Sequence, residues 1–232
     1  MSSTNRGSTY HDNGAYYTER AVARVIIDAI LPLAVERFGP RLICAELHAG
    51  AGAFIAELLS RPEVDSVYAM DIDPHAPALI DGARYEWRVG SCLPKPVVWH
   101  RSEAKGGPLV VQEAGGWPEE WPAPHLIVGN PPFGQPCPGR KSPLPVAQAH
   151  VEAALGILAP GGFLSYLLPG SYLGSSTRRK WFNKGNAPLI VEHLDPRPTF
   201  TGGGSDSMEY AGIHWDSSRS ATDYTGRWVT YA

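Results

Sequence analysis

A strand–turn–helix–strand pattern in the first third of the chain constrains the fold more than any other feature. The apolar run 42–47 (LICAEL) predicts a buried strand, 48–52 (HAGAG) a tight turn and 53–60 (AFIAELLS) a helix. A second apolar run, 66–73 (SVYAMDID), predicts another strand. Because two parallel strands need a crossover, usually a helix, this order predicts a parallel α/β unit.

The rest of the chain continues this alternation. Thr18 is the predicted cap of a first helix, which Pro32 is expected to end or kink. Further helices are predicted at 76–83, 146–160 and 176–184, and further strands at 108–112, 126–128, 163–169, 189–194 and 208–215. An extra hairpin is predicted around 96–101. The last two strands flank a glycine-rich loop, 201–207, and are expected as a terminal pair.

These elements together predict a doubly wound sheet. Ligands of such sheets bind beyond the carboxyl ends of the strands. We therefore expect the chemistry in the loops that follow Leu47, Asp71, Gln112 and Val128.

Length and composition place this fold in one domain. The chain has 232 residues, of which 43% are hydrophobic, and we predict a single domain over 1–232 with a flexible lead-in at 1–14. No apolar run approaches the roughly 18 residues of a membrane helix, and the polar N-terminus predicts no secretion signal. A formal net charge of -3 argues against a strongly basic nucleic-acid coat but allows an enzyme with a local basic face.

Cysteine and histidine positions predict neither disulfides nor a metal centre. Cys44, Cys92 and Cys137 are odd in number and widely spaced, which favours a reducing, cytoplasmic setting. The eight histidines show no metal-ligand spacing, and His48 is interpreted as a residue that shapes its loop.

The glycine turn and a later acid predict a nucleoside site. Gly50 and Gly52 let backbone amides approach a ligand closely, and Asp71 can accept hydrogen bonds from both hydroxyls of a ribose. The third glycine of a dinucleotide fingerprint would fall at Ile55, so a pyrophosphate is disfavoured. A nucleoside with a small zwitterionic tail, such as S-adenosylmethionine, fits better.

The segment Asn130-Pro131-Pro132-Phe133 follows the predicted strand 126–128. The prolines fix two φ angles and remove two donors, so the Asn130 side-chain carbonyl and the Pro131 backbone carbonyl can accept from one amino group. Phe133 can stack on a base, which is worth about 1–3 kcal/mol and would help to offset base flipping. The segment predicts methyl transfer to a planar exocyclic amine, by positioning and charge stabilisation.

In this order the motifs resemble the N6-adenine DNA methyltransferases of the Asn-Pro-Pro-Phe/Tyr type, roughly from Tyr16 to Trp215. The segment 16–22 resembles the tyrosine–threonine segment of that family, with Glu19 where the family usually has proline. The segments 46–54 and 155–173 resemble its cofactor loop and its fifth-strand region. The resemblance implies an α/β, Rossmann-like methyltransferase fold: a mostly parallel, seven-stranded, doubly wound sheet with a C-terminal antiparallel strand pair.

The resemblance also implies roles for individual residues, with S-adenosyl-L-methionine as cofactor. The catalytic residues would be Asn130, Pro131, Pro132 and Phe133. The cofactor-binding residues would be Tyr16, Thr18, Glu46, His48, Ala49, Gly50, Gly52, Asp71, Ile72, Glu113 and Asn130. The family usually has Asp on its third strand, and the nearest candidates in this chain are Gln112 and Glu113.

Duplex DNA is the expected partner, without membrane or metal. The nucleic-acid-binding residues would be Phe133, Arg140, Lys141, Arg178 and Arg179. For the last two, a solvated helix face is the slightly favoured interpretation. For Arg140 and Lys141, a mobile charged loop is an equally good interpretation. No separate target-recognition region is evident, so loops, a specificity partner or a homodimer would supply selectivity.

Two alternatives stay open at this point. The same loop serves enzymes that methylate adenine in RNA or the glutamine side-chain amide of a protein, since that amide is also a planar, weakly nucleophilic amine. Phe133 favours DNA mildly, because the last residue of the loop is often tyrosine in those groups. The other alternative is a non-catalytic, cofactor-binding subunit of a larger complex.

Overall fold

The structure is a computed structural model that describes residues 18–73, 84–94, 97–100, 109–112, 115–132, 146–198 and 209–231. Its helices are α1 (Arg20–Asp28), α2 (Leu31–Phe38), α3 (Ala53–Leu59), α4 (Val146–Ile157) and α5 (Ser176–Phe182). Its strands are β1 (Leu42–Glu46), β2 (Val64–Asp71), β3 (Tyr85–Val89), β4 (Val97–His100), β5 (Leu109–Gln112), β6 (Leu126–Gly129), β7 (Phe163–Pro169), β8 (Ile190–Asp195), β9 (Tyr210–Asp216) and β10 (Thr225–Thr230).

Eight of these strands form one twisted α/β sheet in the order β10-β8-β9-β7-β6-β1-β2-β3. Neighbouring strands are parallel, except that β9 runs antiparallel to both β7 and β8. The predicted Rossmann-like fold with a C-terminal antiparallel pair is therefore confirmed, with eight strands in the main sheet where seven were expected.

Helices cover both faces of this sheet, as parallel sheets require. Alternate residues of β1 point to opposite layers: Cys44 packs in the core beneath α1, α2 and α3, whereas Ala45 packs in the core beneath α4. The central strands β6 and β7 are buried along their whole length. That burial explains why their sequences are largely apolar, with Ser165 as the polar exception.

The predicted first helix is two helices. The helix is interrupted at Ala29 and Ile30. Pro32 lies in the first turn of α2, where a missing N–H is tolerated. The expectation that Thr18 caps the first helix is wrong, because Glu19 holds the cap position. It makes no side-chain capping bond, and α1 is instead held by its buried apolar face and by contact with α3.

The third strand of the main sheet is not the predicted 108–112. That stretch forms β5, which pairs with β4 in a separate antiparallel sheet. The position beside β2 belongs to β3, which was not predicted, and β10 at the opposite edge was not predicted either. Both are edge strands with largely exposed side chains, so neither carries an apolar run. The predicted helix at 76–83 and the loop at 201–207 lie outside the described residues.

The strand order creates a switch point next to β1. The chain leaves β1 for β2 and β3 on one side, and then returns to β6 on the other side. A crevice opens at such a reversal, at the carboxyl ends of the two strands. Within the described ranges, no helix is both long and apolar enough to cross a membrane.

Candidate active site

The loop after β1 is held tightly against the end of β2. The Ala49 N–H donates to the Met70 carbonyl at 2.9 Å, and the Gly52 N–H donates to the Ala49 carbonyl at 2.8 Å. Gly50 and Gly52 have φ angles of 50° and 82°, which favour glycine because a side chain strains the backbone there. The predicted tight turn is thus a compact loop whose backbone lines the crevice.

Asp71, the last residue of β2, closes this loop. Its Oδ2 accepts from the Gly50 N–H at 2.7 Å, and its Oδ1 accepts from the Asp73 N–H at 2.8 Å. Burial raises the pKa of Asp71, while these backbone bonds oppose the rise by favouring the carboxylate. A carboxylate offers about four acceptor positions, so lone pairs remain for further donors. The structure brings the predicted pair Gly50 and Asp71 together.

Glu46, the last residue of β1, lies beneath the loop and is 1% exposed. Its Oε1 accepts from the His48 N–H at 3.0 Å. Its Oε2 is buried and has no hydrogen-bond partner among the described residues. Burial raises the pKa of Glu46 well above its usual value. A buried acceptor without a partner is costly, so the site suits a donor from a ligand.

The end of β6 makes close contact with this carboxylate. Glu46 is paired in register with Val128, so Gly129 lies directly beside it. A Cβ at Gly129 would lie 2.2 Å from Glu46 Oε1, and the φ of Gly129 is 154°. Only glycine fits here without a shift of the neighbouring atoms.

The segment that follows β6, which starts with Asn130 and Pro131, therefore lies at the crevice, next to the loop after β1. Pro131 is buried and Pro132 is half-buried. The Asn130 Nδ2 donates to Thr18 Oγ1 at 3.2 Å. This bond joins the segment before α1 to the end of β6, a long-range contact that the sequence pattern did not predict.

The segment after β3 lies at the same edge of the sheet. Gly90 N–H donates to the Asp71 carbonyl at 2.7 Å, and the next residue, Ser91, is buried. Gly116 N–H donates to the Ser91 carbonyl at 2.8 Å. This segment occupies the place that was expected for Gln112 and its neighbour, because β5 is not part of the main sheet.

An apolar side chain also lies exposed beside Asp71. Ile72 is 41% exposed, although it is one of the large aliphatic residues that usually lie in a core. Its position next to Asp71, the predicted ribose-binding acid, would suit a flat, apolar ligand surface.

A second polar cluster lies behind the loop, on the α4 side of the sheet. His48 Nε2 lies 2.8 Å from His150 Nδ1, and Cys92 Sγ lies 3.4 Å from that same nitrogen. Burial lowers the pKa of both histidines, that of His150 to about 3, and raises the pKa of Cys92 to about 12. The His48 ring thus also contacts residues outside its own loop. Sequence spacing missed this cluster, because its members lie in three separate segments.

The two arginines of α5 that were predicted to bind nucleic acid lie in different surroundings. Arg178 is 8% exposed, its Nε and Nη2 donate to the carbonyls of Tyr172 and Ser171, and its guanidinium lies 4.2 Å from the Tyr172 ring centroid. These contacts hold the turn before α5, and the phosphate contact proposed for Arg178 stays a prediction. Arg179 is exposed on α5, and its role stays a prediction. Tyr16, Glu113, Phe133, Arg140 and Lys141 lie outside the described residues.

No protein-family model and no curated protein sequence matches this chain. Solved structures do match. A protein of Listeria monocytogenes, assigned to the class I S-adenosylmethionine-dependent methyltransferases, has 14% identity and a TM-score of 0.60, and the match covers 92% of this chain and 65% of that one. The M protein of the type I restriction enzyme EcoKI has 13% identity and a TM-score of 0.57, with 94% of this chain and 49% of that one covered.

A protein of Pyrococcus horikoshii assigned as an RNA methyltransferase is similar over 87% of both chains, with 12% identity and a TM-score of 0.56. By contrast, the present chain spans 65% and 49% of the Listeria protein and the EcoKI subunit. At these identities the likeness concerns the fold. The chain has the Rossmann-like fold of the class I S-adenosylmethionine-dependent methyltransferases.

Proposed function

We propose that this protein transfers a methyl group from S-adenosylmethionine to the exocyclic N6 of adenine in DNA. One observation carries the proposal. The segment that begins with Asn130 and Pro131 leaves β6 directly beside Glu46 and the loop after β1. A candidate site for an amine thus adjoins a candidate nucleoside site at the switch point of the sheet.

The residues around the loop fit the two ends of the cofactor. Asp71 can accept from ribose hydroxyls, and Glu46 Oε2 is a buried acceptor suited to an ammonium group. Ile72 offers an apolar surface to the adenine ring, and Ser91, which follows β3, is a further candidate beside Glu113. When bound, S-adenosylmethionine supplies an electrophilic methyl group on a sulfonium.

Asn130 and Pro131 have the task of holding the target amine. An exocyclic amine is a weak nucleophile because its lone pair is delocalised into the ring. Two acceptors on its hydrogens favour the pyramidal form, which has a localised lone pair. The bond from Asn130 Nδ2 to Thr18 Oγ1 orients the amide, which supports a role for Oδ1 as the acceptor. Phe133 is proposed to stack on the base.

RNA is the second candidate substrate. It is favoured by the similarity to the Pyrococcus horikoshii protein over 87% of both chains. DNA is preferred because of the Asn-Pro-Pro-Phe sequence at 130–133 and the similarity to a restriction-enzyme M protein. Since the chain spans 49% of that M protein, a partner or second copy could supply target selection.

The test is methyl transfer from radiolabelled S-adenosylmethionine to duplex DNA, total RNA and a protein extract, followed by separation of the labelled nucleosides. Label in DNA as N6-methyladenine is the expected result. Label in RNA, or in glutamine of protein, would refute the DNA assignment and retain the chemistry. Cofactor binding without label in any pool would identify a non-catalytic subunit.

Asn130→Ala tests the role of the amide. We expect methyl transfer to be abolished and cofactor affinity to change little, because the substitution removes an acceptor for the target amine. Asn183→Ala is the matched control. Asn183 is exposed at the C-terminal end of α5 and is not a residue of the candidate site. Normal turnover by the Asn130 variant would contradict the mechanism.

A further inference from the structure

We propose that His48, Cys92 and His150 form a binding site for a zinc-type divalent metal ion behind the loop after β1. The three residues come from the loop after β1, the segment after β3 and helix α4. They are distant in sequence but meet on one face of the sheet, where their nitrogen and sulfur atoms all lie within 4.8 Å of one another.

The spacing of these atoms is close to that of a tetrahedral centre. The separations are 2.8 Å between His48 Nε2 and His150 Nδ1, 3.4 Å between Cys92 Sγ and His150 Nδ1, and 4.0 Å between Cys92 Sγ and His48 Nε2. With Zn–N near 2.0–2.1 Å and Zn–S near 2.3 Å, tetrahedral ligand atoms lie about 3.3–3.6 Å apart. Shifts of about 0.5 Å would therefore bring all three atoms to bonding distance of one ion.

The donor set also selects a class of metal. Two imidazole nitrogens and one thiol sulfur are soft to borderline ligands, which suit zinc and do not suit magnesium or calcium. Three protein ligands leave a fourth position for water or another group. Coordination converts the Cys92 thiol to a thiolate, so one proton per bound ion leaves to solvent.

A hydrogen-bonded cluster without metal is the rival explanation. In it, one imidazole donates to the other at 2.8 Å. Such a pair leaves His48 Nδ1, His150 Nε2 and the nearby Tyr166 hydroxyl buried, with no hydrogen-bond partner among the described residues. Unsatisfied buried polar groups are expensive, and this concentration of them marks a polar pocket rather than ordinary core. Metal ligands commonly donate their second ring N–H to water or to a carbonyl, which is the role left open for these atoms.

The proposed ion would be structural. It would connect the loop after β1 to α4 and to the segment after β3, since each of the three supplies one ligand. The backbone N–H of His48 donates to Glu46, so the ion would also fix the residue beneath the candidate cofactor site. The ion is not expected to contact substrate.

The experiment measures metal binding by the full, tag-free chain, independently of methyl transfer. The protein is stripped with a chelator, equilibrated with Zn²⁺ and analysed for bound metal, and then reloaded with Co²⁺. We expect one ion per chain and a thiolate-to-cobalt charge-transfer band. Cys92→Ser should remove the band and weaken binding by more than about 100-fold, because loss of a ligand should exceed the 10–100-fold effect typical of outer-shell changes.

Cys44→Ala is the matched control, because Cys44 is also buried but packs on the other face of the sheet. It should retain both stoichiometry and spectrum. Should Cys92→Ser fail to fold, the cobalt spectrum of the unaltered protein still reports thiolate ligation. A chain that retains no stoichiometric metal and shows no charge-transfer band overturns the proposal, as does full binding by a folded Cys92→Ser protein.

Discussion

Changing Gly129 to alanine is expected to destabilise the protein by two separable effects. The φ of Gly129 is 154°, and holding a side-chain-bearing residue there costs about 1–3 kcal/mol of backbone strain. The added Cβ would also lie 2.2 Å from Glu46 Oε1, and overpacking of this kind costs about 1–3 kcal/mol. The two contributions together predict a loss of about 2–6 kcal/mol in the free energy of unfolding.

A double-mutant cycle separates these effects. Glu46→Ala removes the carboxylate that the new methyl group would strike. In that background, Gly129→Ala should cost only the strain part, about 1–3 kcal/mol. The coupling energy between the two sites should then equal the steric part, again about 1–3 kcal/mol. Urea denaturation of the four proteins, monitored by far-UV circular dichroism, measures each free energy of unfolding.

Gly39→Ala supplies the control for strain alone. Gly39 has a φ of 81°, but a Cβ there would meet nothing within 4 Å. Its substitution should cost the same in the presence and absence of Glu46. The reasoning would be refuted if Gly129→Ala had equal costs in the two backgrounds, because the carboxylate would then not touch Gly129.

Three further predictions concern the proposed sites. Asp71→Ala should weaken S-adenosylmethionine binding at least about tenfold, since hydrogen bonds to a charged group are worth about 1.5–3 kcal/mol; unchanged affinity in equilibrium dialysis would contradict the assignment. Burial raises the pKa of Glu46 in the cofactor-free protein, and an ammonium partner must lower it. Cofactor binding should thus release protons, and the affinity should rise with pH until the Glu46 carboxyl of the free protein is ionised. Calorimetry in buffers of different ionisation enthalpy should show this proton release. The Glu46→Gln protein should lack it. Arg179→Ala should reduce the slope of log affinity for DNA against log salt concentration by about 0.9. Arg178→Ala should lower stability instead, because Arg178 donates to two backbone carbonyls. Equal slopes for Arg179→Ala and the unaltered protein would remove Arg179 from the interface.

The parts of the fold that the sequence predicted are those in which burial leaves a local pattern. Strands β1, β6 and β7 are covered on both faces, so their sequences are largely apolar, with Glu46 and Ser165 as exceptions. Strands β3 and β10 lie at the two edges of the sheet, where most of their side chains meet solvent. Their pairing rests on backbone hydrogen bonds with distant strands, and such bonds leave no signature in composition.

The candidate site shows the same division. Gly50 and Asp71 could be predicted because the turn and the strand end each have a local signature, and the structure brings them within 2.7 Å. The contact between Thr18 and Asn130 could not be predicted, since the partners are 112 residues apart. The cluster behind the loop was missed for the same reason: its ligand spacing exists only after the strands have assembled.

Glu46 connects these separately predicted and unpredicted parts. Its Oε1 accepts from the backbone of His48, whose ring belongs to the proposed metal site, and the same oxygen lies against Gly129, which precedes Asn130. Interiors are closely packed, so a displaced His48 or an added methyl at Gly129 must move this carboxylate. The candidate cofactor pocket, the loop that is proposed to hold the target amine and the metal cluster therefore share one buried side chain. A change at His48 or Gly129 that moves this carboxylate should therefore be measurable as a change in cofactor affinity.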